Sequence, residues 1–241
     1  MNKETLHKSI VITTLILVLS MLLFEVNNID ITIQNWFYNF NLNEWIVDRD
    51  NAVLKFIFYD GIKKTLIIFA VIVLISLIFG RKNKLLQTYK TGLLIIVFSA
   101  VLVPSVIGWL KTITNTPCPK NLAYFNGCYP YVKVFDRYPS TFKQKEKMEC
   151  FPAGHASGGF ALFSLFFLFK SRKNKIMALL FAMVIGWSMG IYKMLIGDHF
   201  FSHTFITMII SWLIVLIVVK LQTIMIELKV KNIGENIRRT L

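Results

Sequence analysis

The chain has 241 residues, of which 55% are hydrophobic and 17% charged, with a mean hydropathy of +0.59. Soluble domains carry nearer a quarter charged residues, so this composition excludes a water-soluble globular protein and makes lipid the solvent. The formal charge of +14 points to anionic lipid surfaces rather than nucleic acid, because the basic residues are scattered instead of forming one patch.

About twenty apolar residues cross a bilayer core. In chain order the first such run covers residues 10–24. Lys3 and Lys8 precede it, but Glu25, Asn27 and Asn28 follow where a secretory leader would show small residues, so it reads as a retained helix. Residues 30–63 mix polar residues with Trp36, Phe37, Phe40, Trp45, Phe56, Phe58 and Tyr59, a composition suited to the head-group zone. The second and third runs cover 66–80 and 93–110, the latter holding Pro104, where a kink is expected. A polar stretch with four prolines, 111–151, is the one long non-helical piece, and long ordered loops are usually functional. Three further runs cover 155–170, 176–196 and 204–221, the first of these short unless residues from Phe151 onward help it across. The pattern predicts an all-α, polytopic membrane protein: one domain over 1–241, a bundle of six transmembrane helices with a long outer loop.

Short basic turns set the orientation. Arg81, Lys82 and Lys84, then Arg172, Lys173 and Lys175, and a tail with Lys229, Lys231, Arg238 and Arg239 belong in the cytoplasm by the positive-inside rule. Both termini are then cytoplasmic, and 25–63, 111–158 and 197–203 face outward. The outer loop also carries Lys120, Lys133, Arg137, Lys143, Lys145 and Lys147, a charge that the rule does not explain.

All three cysteines, Cys118, Cys128 and Cys150, fall in that outer loop. An oxidising compartment allows one bridge and leaves one odd thiol. Cys118–Cys150 is the favoured pair, since both flank candidate site residues and the bridge would tie two helix ends together; another pair or three free thiols stays open.

Of four histidines, His155, His199 and His203 map to the outer boundary, together with Lys111 and Lys193. Ionisable groups at that depth are costly unless they pair or work. Snorkelling explains any one lysine. The set, without matching carboxylates, suits an anion, and phosphate in particular. The stretch Pro152-Ala153-Gly154-His155 opens a helix, whose free N–H groups, approached past glycine, can cradle oxyanions. Two histidines can divide phosphoryl transfer, one attacking phosphorus and the other protonating the departing oxygen. A three-histidine zinc site is the competing reading, since His199 and His203 stand four apart on one helix face, but the nearby lysines would repel a cation.

These residues resemble the type 2 phosphatidic acid phosphatase superfamily. Its pattern is a Lys, six residues and Arg-Pro; then Pro-Ser-Gly-His; then Ser-Arg, five residues, His, three residues and Asp. Here the blocks read Lys111 to Cys118-Pro119, Pro152-Ala153-Gly154-His155, and Tyr192-Lys193 followed by His199 and His203, across roughly residues 90–222. The resemblance implies His199 as a nucleophile forming a phosphohistidine and His155 as general acid and then base. Lys111, Gly154 and Lys193 would hold the phosphate, and no metal or other cofactor would be needed. Cys118 stands in place of an Arg, Ala153 of Ser, Lys193 of Arg, and His203 of the Asp that orients the nucleophile. A neutral His203, one turn after His199, is expected to accept its ring N–H.

The expected partners are a membrane and a phosphorylated lipid, with no nucleic acid. The expected place is the bacterial cytoplasmic (inner) membrane with the site facing the periplasm. Lipid A dephosphorylation is the leading activity, since the basic outer loop suits a polyanionic head group. Undecaprenyl diphosphate or phosphatidylglycerophosphate phosphatase, phosphotransfer between lipids and non-catalytic binding of anionic lipid are the alternatives.

Overall fold

The computed structural model describes residues 2–240; Met1 and Leu241 lie outside it, as do the side chains at 233, 234 and 236–240, including Arg238 and Arg239 of the basic tail. Where water is absent the backbone must satisfy its own polar groups, and helices do this within one segment. Among the described residues the chain is accordingly helical, with one two-stranded antiparallel ribbon, β1 (Tyr38–Asn39) and β2 (Glu44–Trp45).

Helix α1 (Lys3–Val26) leads through the short α2 (Ile29–Gln34) to this ribbon. Helix α3 (Ala52–Lys55) then passes through a π-turn at Phe56–Asp60 into α4 (Gly61–Phe79). Helix α5 (Lys84–Ile113) runs through Pro104 without interruption. After the outer loop come α6 (Gly154–Ala161), a 3-10 stretch at Leu162–Phe167, α7 (Arg172–Leu195) and α8 (Phe201–Thr240). The basic turns start helices because they hold caps: the side chain of Asn83 accepts from Leu85 N at 2.9 Å and that of Ser171 from Asn174 N at 3.2 Å.

Among the described residues five helical stretches are long and apolar enough to cross a membrane: Lys3–Val26, Ala52–Phe79, Lys84–Ile113, Arg172–Leu195 and Phe201–Asn232. Large apolar side chains such as Leu19, Ile72, Val101 and Val184 point outward, the arrangement that hydrocarbon favours. The second stretch begins at Ala52, well before the apolar run at 66. Lys55, Asp60 and Lys63 interrupt the hydropathy there without interrupting backbone hydrogen bonding.

The remaining stretch, α6 with its 3-10 continuation, sits at the centre, and Ala156 and Phe160 are fully buried with Val103, Ala182, Val215 and Leu216. It runs back alongside α5, from Lys111 beside Gly154 to Leu168 beside Gly92. Such an approach requires small residues. A Cβ on Gly159 would meet the Cα and N of Gly186 on α7 at 2.7 Å. At the same end of the bundle Lys170 lies 5.5 Å from the Tyr89 ring, Gln222 donates to Thr91 O, and Lys3 pairs with Glu227 at 2.6 Å. The basic turns therefore share one end, and the three histidines lie at the other.

Candidate active site

Helix α6 opens with Ala153 at its N-cap, whose side chain offers no hydrogen bond, so the N–H groups of its first turn are not capped by it. Ala153 N donates to His203 O at 3.2 Å, which fastens this opening to α8. Lys111, in the last turn of α5, lies over it: a Cβ at Gly154 would come 3.3 Å from Lys111 Cδ and 3.8 Å from its Nζ. Glycine at 154 thus lets the lysine ammonium and the helix N-terminus meet, a pairing suited to phosphate oxygens.

His155 Nδ1 stands 3.3 Å from His199 Nε2. His199 lies between α7 and α8, 2% exposed. Burial above all, then the nearby His203, His155, Lys111 and Lys193, push its pKa well below the ordinary histidine value, so its imidazole is held neutral. The Tyr59 ring packs 4.8 Å from His155, and Lys193 Nζ sits 4.6 Å from the centre of the same ring. Lys193, 8% exposed, also pairs with Asp198 Oδ2 at 2.9 Å. Five expected residues, Lys111, Gly154, His155, Lys193 and His199, therefore gather around one opening.

His203 departs from expectation. It is 1% exposed and sits 5.8 Å, centre to centre, from the His199 ring, with no hydrogen bond between them among the described residues. Its ring faces the Cys150 carbonyl, and its Nδ1 is buried without a hydrogen-bond partner. Phe151 and Phe200 wall it in at 5.3 and 5.4 Å. Four residues along a helix places two Cβ atoms on one face, but His199 precedes α8 and its ring turns toward α6. His199 Nδ1 instead meets Cys150 Sγ at 3.6 Å. That sulfur belongs to the Cys118–Cys150 disulfide, with Cα atoms 5.2 Å apart, while Cys128 is a free, exposed thiol. The Sγ of Cys150 and the rings of His199 and His203 fall within 4.8 Å of one another. A disulfide sulfur carries no thiolate charge, however, so this trio lacks the donor that would attract a metal cation.

Several participants carried no motif. Asp198 Oδ1 accepts from Lys120 at 2.8 Å and from the Arg49 guanidinium, so three cations converge on one carboxylate. Burial alone would raise the Asp198 pKa, but Lys120 and Lys193 together hold it below the usual value. Asp30, on α2, accepts from Ser202 N at 2.8 Å and from its hydroxyl, capping α8 from another element. Burial lifts the Asp30 carboxyl to about 6. The one available sequence signal was chemical: a basic outer loop in excess of what topology needs. A cavity of about 500 Å³ opens beside His155 and continues between α4, α5 and α6 along Leu66, Phe69, Ile96 and Leu162. Its polar end carries His155 and Lys63 and its other walls are largely apolar, which matches a phosphate ester carried on a hydrocarbon chain.

Comparison with known proteins agrees with this geometry. Residues 91–225 match the PAP2 superfamily, a stretch containing Lys111, Gly154, His155, Lys193 and His199 but not Tyr59 or Arg49. The chain is 31% identical over 180 residues, 73% of its own length and 78% of the other's, to a lipid A 4'-phosphatase of Francisella tularensis subsp. novicida. No solved structure matches it. The chain belongs to the PAP2 superfamily and is a membrane lipid phosphatase, a phosphoric ester hydrolase.

Proposed function

We propose that the protein hydrolyses a phosphate from the head group of lipid A at the periplasmic face of a bacterial inner membrane, through a phosphohistidine on His199. The observation that carries this reading is the 3.3 Å approach of His155 Nδ1 to His199 Nε2 at the end of an apolar cavity. A bound phosphoryl group takes the place of that contact, within reach of both rings.

The Nε2 lone pair of His199 forms a bond to phosphorus as the bond from phosphorus to the lipid oxygen breaks. Protonated His155 gives its proton to that oxygen. Water then attacks phosphorus, His155 takes the water's proton, and the N–P bond breaks to release phosphate. Lys111, Lys193 and the Gly154 N–H hold the phosphoryl oxygens, and the preset cations need no rearrangement as charge develops. His203 supports the pair by packing.

In this reading the stretch 155–170 is a sixth crossing and both termini are cytoplasmic. The basic turns gathered at the end opposite the histidines support that orientation. The similarity to a lipid A 4'-phosphatase supports lipid A as substrate. Phosphate release from lipid A, undecaprenyl diphosphate and phosphatidylglycerophosphate, each with a His199→Ala control, tests the proposal. Release from lipid A that disappears in the variant, while lipid pull-down persists, is the expected result. A variant retaining more than a few per cent of the rate removes the phosphohistidine, and turnover of another lipid alone removes lipid A.

A further inference from the structure

We propose that Asp198 is a positioning residue: its carboxylate brings Arg49 and Lys120 to the edge of the histidine pair, where the Arg49 guanidinium supplies the phosphate contact that Cys118 cannot. The inference rests on the phosphatase reading above and extends its binding site to two chain segments outside the motifs.

Cys118 occupies the position where the superfamily pattern has an Arg, and its sulfur is committed to Cys150. A guanidinium nevertheless reaches this region. Arg49 lies in the turn after β2, and two contacts fix that turn against the segment before His199. Arg49 Nη2 donates to Ile196 O at 3.4 Å, and the Trp45 ring packs on Gly197. Gly197 has φ +71°, and a Cβ there would lie 2.3 Å from the Trp45 ring, so no other residue permits this approach.

The charge arrangement argues for use rather than cohesion. One carboxylate pairs directly with three cations, Arg49, Lys120 and Lys193, so this cluster carries positive charge in excess. Asp48 and Asp60 act nearby on Tyr192 but form no ion pair with these cations among the described residues. Side-chain exposure is graded, at 11% for Lys193, 33% for Lys120 and 45% for Arg49, from the histidines toward solvent. Ion pairs as exposed as that of Arg49 add little to stability. Donors also remain: a guanidinium has five N–H groups and an ammonium three, and Asp198 takes one from each of its partners. The carboxylate suppresses repulsion among the cations and fixes their directions, while their remaining donors stay available to an incoming anion. A guanidinium suits phosphate especially, because its fork can give two parallel hydrogen bonds.

Two measurements on the purified full chain in detergent separate this from a plain clamp between loops. One is the Kd of orthovanadate by titration calorimetry; the other is kcat and KM for phosphate release from lipid A. Arg49→Ala is expected to raise the vanadate Kd and KM about tenfold with kcat changed less than about threefold, and Arg49→Lys to recover part of the loss. Asp198→Asn is expected to weaken vanadate about as much, and the Arg49→Ala, Asp198→Asn double variant to be no worse than the poorer single, since both remove one arrangement. A vanadate Kd within twofold of wild type in folded Arg49→Ala overturns the proposal, as does full additivity in the double variant. If Asp198→Asn does not fold, the two Arg49 variants decide alone, because Arg49 lies on an exposed turn. His199→Ala on the same preparations keeps the two failures apart. Turnover surviving in it overturns the underlying reading, whereas its loss beside an unchanged Arg49→Ala overturns this inference only.

Discussion

His155 Nδ1 and His199 Nε2 face each other across 3.3 Å, so only one of these two nitrogens carries a hydrogen. A nucleophile needs a bare Nε2, which places the His199 hydrogen on Nδ1, against Cys150 Sγ at 3.6 Å. The proposed mechanism therefore requires one tautomer of His199 as well as its position.

The pH profile follows from the burial of His199, which lowers its pKa well below the ordinary histidine value. The neutral ring is the attacking form, so acid disables it only below that lowered pKa. We expect no loss of kcat/KM for phosphate release as pH falls through about 6.5, the usual histidine midpoint. An acid limb centred at or above that point contradicts the assignment. The same shift makes the unfolded chain bind more protons than the folded one below about pH 6.5, so stability rises with pH up to that point and is lost below it.

His203 should matter through packing and its contact with the Cys150 carbonyl, since it makes no bond to His199. His203→Ala is expected to lower kcat about tenfold, far less than His199→Ala. His203→Gln, which retains an N–H for that carbonyl, should recover part of it. Rates for the three variants on one lipid decide the matter, and a His203→Ala loss equal to that of His199→Ala would give His203 a direct part in the chemistry.

The disulfide should affect rate as well as stability. Its sulfur lies against His199, and it closes a sequence separation of 32, worth about 3 to 4 kcal/mol by loop entropy. Reduction, or Cys118→Ser, is expected to lower kcat several-fold while Cys128→Ser leaves it unchanged. Thiol counts taken beside the rate, before and after reoxidation, check this; a reduced enzyme at full rate refutes it.

Glycine contacts give a structural test. Gly159→Ala forces a methyl against the Gly186 backbone at 2.7 Å, and overpacking of this kind costs about 1–3 kcal/mol. A methyl on Gly108 would meet nothing within 4 Å, so Gly108→Ala should be neutral or stabilise α5 by up to about 1 kcal/mol. Thermal unfolding in detergent should therefore move in one variant and not fall in the other.

The membrane class, the apolar runs and the opening built from Lys111, Gly154, His155, Lys193 and His199 were legible because each has a local signature: hydropathy, or fixed spacing around a helix end. Arg49 was not legible, since its partner Asp198 lies 149 residues away and an arginine in a polar turn looks like any other. Tyr59 read as an interfacial aromatic because nothing local distinguishes a ring beside a histidine from one beside lipid. Helix ends were not legible where hydropathy and hydrogen bonding part company. The second long helix starts at Ala52, ahead of the apolar run at 66, and α8 continues to Thr240, beyond the run that ends at 221. His203 followed its spacing in sequence, but the ring of His199, just before the helix, had another direction open to it.

Helix α8 also acts as a depth gauge. At 40 residues it is about 60 Å long, twice a bilayer core of about 30 Å. Its apolar stretch lies between His203 and Lys220, 17 residues or about 26 Å apart, and beyond it the exposed Lys229 and Lys231 belong in water. Sliding this rod one way would drag Lys220 into hydrocarbon, and sliding it the other would lift apolar rings out. Both motions are costly, so a charge some 26 Å along the rod helps to hold the histidines at their height above the bilayer centre.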